Sequence, residues 1–208
     1  LVDCDDYGTL DESCLYDNSV VVPVHLYGQV CNMDEIMCRA DDLVSTVIED
    51  CSQAHGATWQ GRKVGSFGFA STFSFYPTKP LGCMGDGGAI CTNDDELAAC
   101  CRRMRNHGRL AKHDHELVGR NSRLDGLQAA ILSVKLKHLD EMNERRRVLA
   151  RAYDLNLPGS YRPMLIERPG GYQVYHQYII LTERRDEVRQ YLAAYGIPTA
   201  IPYPYLLP

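Results

Sequence analysis

Between Val20 and Asp50 three short segments follow one another in an order that few folds accommodate. Val20 to Val24 is a β-branched run ending in His25-Leu26-Tyr27-Gly28, which reads as a buried strand meeting a turn. Met33 to Ala40 has helical spacing with Asn32 as its N-cap. Leu43 to Ile48 is again short, apolar and β-branched, and Glu49-Asp50 ends it. Strand, helix, strand at this spacing is a βαβ unit, so a parallel sheet is expected. Ligands on such sheets gather at the carboxyl ends of the strands, where Asp50 falls.

A second strand end lies at Lys79. Ser71 to Tyr76 alternates small or hydroxyl residues with Phe73, Phe75 and Tyr76, as a strand with one packed face does, and Pro77 stops it. Gly82, Gly85, Gly87 and Gly88 then give a backbone free to adopt positive φ and to approach a ligand closely. A lysine in this setting is either a solvated turn residue or an amine nucleophile whose pKa is lowered by partial desolvation. Lys79 and Asp50, 29 residues apart, meet if both strands are parallel neighbours.

Bulk properties narrow the classes. With 208 residues, 45% hydrophobic and 24% charged, the chain can build one good core or one domain plus part of another. A net charge of -5 gives no nucleic-acid footprint, and no run of 18 apolar residues spans a membrane, so a soluble, cytoplasmic protein is expected. The nine cysteines form no CxxC pair, which predicts reduced, mostly buried thiols. Leu1-Val2-Asp3 reads as mid-strand without an initiator methionine, so a fragment is expected.

Further along, Gly88 to Thr92 reads as a strand and Glu96 to Met104 as a helix capped by Asn93 or Asp94 and stopped at Asn106-His107-Gly108. His107, His113 and His115 sit in a polar, basic loop; without a third ligand at suitable spacing they predict no metal. Leu124, Leu127, Ile131, Val134, Leu139 and Met142 recur at helical spacing, predicting one helix toward Ala152, about 40 Å long at 1.5 Å per residue. Arg145-Arg146-Arg147 on it reads as a solvated face with Glu141 and Glu144 as partners. Past Leu157-Pro158-Gly159, a strand over Val174 to Leu181, a helix over Asp186 to Tyr195 and a strand starting at Thr199 to Tyr203 outline a smaller α+β domain. The expected division is residues 1–147, the remainder of a large domain, and 148–208, an incomplete small one.

If Lys79 forms an imine with an aldehyde cofactor such as pyridoxal phosphate, further groups are needed. The cofactor's pyridine nitrogen must stay protonated, which a carboxylate such as Asp50 achieves by stabilising the cation. Ser74 offers a hydroxyl for a phosphate and Gln53 an amide for the ring's phenolic oxygen. Singly, Asp50 is equally a cap for Ser52 to Gly56, Ser74 a strand hydroxyl and Gln53 a surface amide.

Their joint order matches a known pattern. VIEDCSQAHGATWQGRKVGSFGFASTFSFYPTKPLGCMGDGGAICTNDDELA, with PVHLYGQ before it and GRNSRLDGLQAAIL after it, closely resembles the pyridoxal-phosphate-dependent sugar aminotransferases of the DegT/DnrJ/StrS family. The resemblance covers essentially the whole chain. It implies the aspartate aminotransferase-like type I fold, α/β with a mixed, mostly parallel sheet and a smaller α+β C-terminal domain. Lys79 becomes the imine-forming lysine and proton shuttle, Asp50 the partner of the pyridine nitrogen, Gln53 of the ring oxygen and Ser74 of the phosphate. Asn121 matches an asparagine reaching the phosphate of a neighbouring subunit, which implies a homodimer with shared active sites. Arg123 is placed to meet an anionic group of the sugar nucleotide, or else pins its loop to a carboxylate. Within the family the chain looks most like enzymes that aminate the 3-oxo position of nucleotide sugars, including the UDP-2-acetamido-2-deoxy-3-oxoglucuronate aminotransferases, with L-glutamate as donor. That implies a role in cell-surface polysaccharide or amino-sugar biosynthesis.

Three departures stand against the pattern. The family's N-terminal third is absent, the chain stops short of the small domain's last strand and helix, and Pro202 stands where the family usually has a histidine, leaving Tyr203 as the substrate-contact candidate. Two competing readings are a sugar dehydratase, whose lysine would be histidine, and an inactive fragment or sensor protein that keeps the fold. A third takes GCMGDGG as a nucleotide-phosphate loop, but it lacks the GK[ST] ending.

Overall fold

The computed structural model describes residues 3–159, 161–164 and 166–205. Strand β1 (Val20–Val21), helix α1 (Met33–Asp42) and strand β2 (Thr46–Asp50) form the expected crossover, and β1 pairs β2 in parallel. Pro23 leaves β1 short, with one further parallel bridge from Val24 to Asp50. The second strand starts later than the apolar run suggests, because Leu43 caps α1 and Val44 turns at a φ of 51°. Asn32 caps α1 through Glu35 N–H.

Strands β3 (Thr58–Trp59) and β4 (Arg62–Lys63) make a small hairpin, and β5 (Ala70–Ser74) returns to the main sheet, parallel to β2 with Asp50 opposite Thr72. Strand β6 (Gly88–Thr92) pairs antiparallel to β5 and completes the order β1-β2-β5-β6. Helix α2 (Asp95–Met104) follows, capped by Asp94, whose carboxylate accepts from Leu97 N–H.

The main core lies between α1, the sheet and the hairpin, where Val21, Met33, Ile36, Val47, Ala54, Trp59 and Val174 are buried together. Burial along β2 alternates, with Val47 and Glu49 inward. Glu49 is thus a carboxylate in the core.

Two helices replace the single long one: α3 (Gly126–Leu136) and α4 (Leu139–Asn156), broken at Lys137 and His138 without proline or glycine. Docking separates them. Lys135 Nζ, near the end of α3, donates to Gly82 O, while Leu139 packs with Leu81 and Asn143 of α4 donates to His55 O at 2.8 Å. Helix α4 runs unbroken through residues 147 and 148.

Of the arginine triplet, only Arg145 is exposed. Arg147 is 12% exposed, forms a two-pronged pair with Glu167, donates to Gln173 O at 2.8 Å and lies over the Tyr172 ring. Arg146 reaches the carbonyls of Tyr175 and His176, both at 3.4 Å. The triplet therefore ties α4 to the following segment; charge alone could not distinguish an arginine fork holding carbonyls from a solvated one. Arg147→Ala should cost about 1.5–3 kcal/mol in urea unfolding, the worth of charged hydrogen bonds, with Arg147→Lys intermediate.

Strand β7 (Arg162–Pro163) pairs antiparallel with β9 (Ile180–Leu181), and β8 (Gly171–Tyr172) adds to β3. The expected strand over Val174 to Leu181 is thus confined to its last two residues, because Val174 and Gln177 bond instead to the carbonyls of Gly28 and Tyr27. Helix α5 (Arg185–Ala194) follows, and Thr199 to Tyr203 forms no strand. All nine cysteines are free, but Cys31, Cys51 and Cys83 alone are buried, since Cys38, Cys91, Cys100 and Cys101 fall on surface positions of α1, β6 and α2. Among the described residues no helix is long and apolar enough to cross a membrane.

Candidate active site

Parallel pairing of β2 and β5 brings Asp50 and Ser74 to the same edge of the sheet. Ser74 lies two residues past the partner of Asp50, about 7 Å further along the strand. Asp50 is half-buried; its backbone bonds to Pro23 O and His25 N, and its Oδ1 accepts from Ser52 N–H at 2.9 Å. No helix forms over Ser52 to Gly56, so Asp50 caps none; its Oδ1 instead closes a turn onto Ser52 N–H, and no bond to its other oxygen occurs among the described residues. Ser74 Oγ accepts from Tyr76 N–H at 3.3 Å, so its hydroxyl proton is free to be donated.

Lys79 is half-buried in the turn after β5, where its N–H donates to Tyr76 O at 2.9 Å. Its side chain forms no ion pair or hydrogen bond among the described residues. The glycine loop beyond it packs on backbone: a Cβ at Gly82 would stand 2.5 Å from Pro77 O and 2.7 Å from Tyr76 O. Gly82 is needed so that the loop can close against the turn that carries Lys79.

Gln53 has its amide oriented by the fold. Tyr27, in a left-handed conformation at φ 57°, donates its N–H to Gln53 Oε1 at 2.6 Å. That oxygen is therefore the acceptor end, and Nε2 faces outward as a donor, here to Tyr203 Oη at 3.1 Å. The Tyr27 and Tyr203 rings lie 5.9 Å apart, which gathers Gln53, Tyr27 and Tyr203. Burial, with Tyr203 adding, raises the Tyr27 phenol above its usual pKa.

Two histidines join this group without having been singled out by sequence. His55 is 3% exposed, with its ring 5.4 Å from Phe73 and 5.9 Å from Phe75. Burial, reinforced by the Lys79 charge, pushes its pKa down to about 4. His176 is likewise held at about 4 by burial, then by Lys79, Arg146 and His55. A histidine two residues after Gln53 was a readable signal for His55; nothing local marks His176, which is 97 residues from Lys79.

Asn121 and Arg123 lie elsewhere. Both are exposed, and Arg123 donates to the amide oxygens of Asn121, at 3.1 Å, and Asn106, at 3.4 Å. No contact joins them to Asp50, Gln53, Ser74 or Lys79 among the described residues. Arg123 pins its loop to two amides, and Asn121 keeps its NH2 group as an outward donor.

His25, Glu49 and Cys51 also converge, with potential ligand atoms within 4.8 Å of one another. Glu49 is already saturated by the N–H groups of Gly65, Phe67 and Gly68 at 2.6, 2.7 and 2.9 Å and by His25 Nε2 at 3.3 Å. Burial alone would raise the Glu49 pKa, but the bonds from His25, Gly68 and Gly65 outweigh it and lower the pKa. Burial also opposes a second proton on His25; although Cys31, Cys51 and Glu49 pull toward one, Cys31 N–H at 3.2 Å needs the Nδ1 lone pair. The ring carries its proton on Nε2, toward Glu49, and the cluster is a structural network.

A model of the DegT/DnrJ/EryC1/StrS aminotransferase family matches residues 11–207. The chain belongs to this family. It is 46% identical to a dTDP-3-amino-3,4,6-trideoxy-alpha-D-glucose transaminase of Streptomyces venezuelae, over 88% of this chain and 49% of that protein. To a UDP-2-acetamido-2-deoxy-3-oxo-D-glucuronate aminotransferase of Pseudomonas aeruginosa it is 43% identical, over 88% of this chain and 51% of the relative. A "Pleiotropic regulatory protein" of Geobacillus stearothermophilus is 48% identical, over 88% and 50%. Among solved structures, S. venezuelae DesV in complex with a ketimine intermediate superposes with a TM-score of 0.90 at 44% identity, covering 96% of this chain and 56% of that one. The chain spans about half the length of the curated relatives it matches.

Members of the DegT/DnrJ/EryC1/StrS family have the type I fold of pyridoxal-phosphate enzymes, and the mixed, mostly parallel sheet here conforms to it. The donor set fits that cofactor: a carboxylate with a free oxygen, an amide fixed as donor, a hydroxyl with a free proton and an amine without an ion pair.

Proposed function

We propose that this chain carries the catalytic face of a sugar-nucleotide aminotransferase that moves the amino group of L-glutamate to a 3-oxo nucleotide sugar. Bound there, pyridoxal phosphate supplies an aldehyde for imine chemistry and a ring that accepts the electron pair released at the reacting carbon. Asp50 keeps a proton on the ring nitrogen, Gln53 Nε2 donates to the ring oxygen and Ser74 Oγ to the phosphate. Lys79 holds the cofactor covalently at rest and moves the proton in each half-reaction. The observation that carries this reading is the parallel pairing that puts Asp50 and Ser74 on the edge from which the Lys79 turn departs. Asn121 serves the neighbouring subunit of a homodimer with shared sites; its exposure, and its bonds to Arg123 and Asn106 rather than to the site residues, support this. Arg123 pairs with an anionic group of the sugar, and Tyr203, held beside Gln53, borders the substrate.

A binding or sensory role is the second reading, favoured by the names of two relatives, the regulatory protein above and the sensory transduction protein EryC1 of Saccharopolyspora erythraea, 40% identical. One experiment separates them. The full-length protein is loaded with pyridoxal phosphate, reduced with borohydride, mapped by mass spectrometry and assayed with glutamate and 3-oxo nucleotide sugars. Label on Lys79 and turnover are expected, with Asp50→Asn keeping the label and losing roughly 10²–10³-fold in kcat. Label elsewhere removes Lys79 from its role, and label without turnover of any keto sugar favours the binding protein.

A further inference from the structure

Just past Lys79 the chain folds back as the glycine loop, and one face of α3 lies against it. Gln128, Leu132 and Lys135, at spacings of four and three, share that face. Leu132 clusters with Leu81 and Cys83 of the loop. Gln128 meets both backbone groups of Met84: its Oε1 accepts from Met84 N–H at 2.8 Å, and its Nε2 donates to Met84 O at 3.0 Å. Those two groups have no other partner among the described residues. A side chain that takes the N–H and the C=O of one residue together needs an acceptor and a donor on one planar group, which a primary amide supplies. The Met84 side chain is 78% exposed, so at this point the loop is held by its backbone. One turn further along α3, Lys135 Nζ donates to Gly82 O. These bonds bear on the turn that carries Lys79. Cys83, between the two anchored residues, donates its N–H to Phe75 O at 2.8 Å. Gly82 packs so tightly that a Cβ there would stand 2.7 Å from Tyr76 O, the oxygen that accepts Lys79 N–H.

We propose that Gln128 and Lys135 are positioning residues for Lys79: from α3 they hold the glycine loop against Tyr76 O and thereby fix the turn from which the lysine side chain departs. This rests on the assignment of Lys79 above. The lysine side chain has no hydrogen bond or ion pair of its own among the described residues, so its backbone alone aims it. A reacting amine must stay in line with the carbon it attacks, and a turn braced from outside the site secures that alignment without adding a group to the site.

The test reads the lysine with and without cofactor. Cofactor-free full-length protein is acetylated briefly with acetic anhydride, and modification of Lys79 is counted by mass spectrometry against Lys63, whose amine is held on Gly56 O in the separate β3–β4 hairpin. Capture of pyridoxal phosphate by Lys79 is timed in parallel by borohydride trapping. In Gln128→Leu and in Lys135→Met the loosened turn should expose the half-buried lysine, raising its acetylation relative to Lys63 by about 3–10-fold, and should slow capture by a similar factor, the worth of one hydrogen bond. Lys135→Arg, which keeps a donor for Gly82 O, should stay near wild type in both. An equal rise at Lys79 and Lys63 marks general loosening of the fold and overturns the proposal, as do unchanged acetylation in Gln128→Leu and capture at the wild-type rate. Wild-type label on another lysine overturns only the cofactor assignment, because the acetylation ratio reads the turn without cofactor.

Discussion

Lys79→Met should abolish covalent capture of pyridoxal phosphate and lower transamination by about 10²–10⁴-fold or more, the usual worth of a positioned proton-transfer group. The turn that carries it is held by Lys79 N–H on Tyr76 O and by the Gly82 backbone, neither of which involves the side-chain amine. Folding should therefore be unaffected, and any loss is chemical. Lys79→Arg separates charge from reactivity. A guanidinium keeps the positive charge but stays protonated and cannot act as a nucleophile at working pH. If Lys79→Arg retained turnover within tenfold of wild type, the lysine would act only as a charge. Single-turnover assays with glutamate alone and with keto sugar alone should show both halves impaired, because one lysine serves both.

Much of this site was readable because its parts are local in sequence. Asp50, Gln53, Ser74 and Lys79 lie on two strands and their following turns, and the placement of ligands at the carboxyl ends of parallel strands already pointed to both strand ends, although the pairing of β2 with β5 is shown only by the structure. Strand β6 and helix α2 were legible for the same reason, a turn signal and a cap at the right distance. What failed depends on tertiary choices. The break at Lys137 and His138 carries no sequence punctuation, and Arg147 is buried by residues 20 and 26 positions away. Segment 173–178 has strand-like composition, but Val174 and Gln177 give their N–H groups to the Tyr27–Gly28 turn and Gln173 gives its own to Glu167. His176 reaches the site only through that pairing, so no local pattern could reveal it.

Glu49→Gln should destabilise the protein by about 2–6 kcal/mol, because two buried donors lose an acceptor at about 1–3 kcal/mol each. Oε1 takes the N–H groups of Phe67 and Gly68, and Oε2 takes that of Gly65 and the proton of His25. Whichever oxygen becomes NH2, it meets two donors. His25 cannot relieve the clash by moving its proton, since Nδ1 is occupied by Cys31 N–H. Glu49→Leu, which orphans all four donors in the core, should fail to fold. Urea unfolding measures the first and far-UV circular dichroism the second; a Glu49→Gln midpoint equal to wild type would mean that water replaces the carboxylate. The loss should also reach the site. Residues 65–68 lead directly into β5, and Ser71 Oγ is bonded to Gly65 O at 2.8 Å, so loosening this loop loosens the strand that sets Ser74 against Asp50. Cofactor affinity should fall in Glu49→Gln under conditions where the fold persists. The glutamate before Asp50 thus braces the candidate site from the opposite face of the same strand.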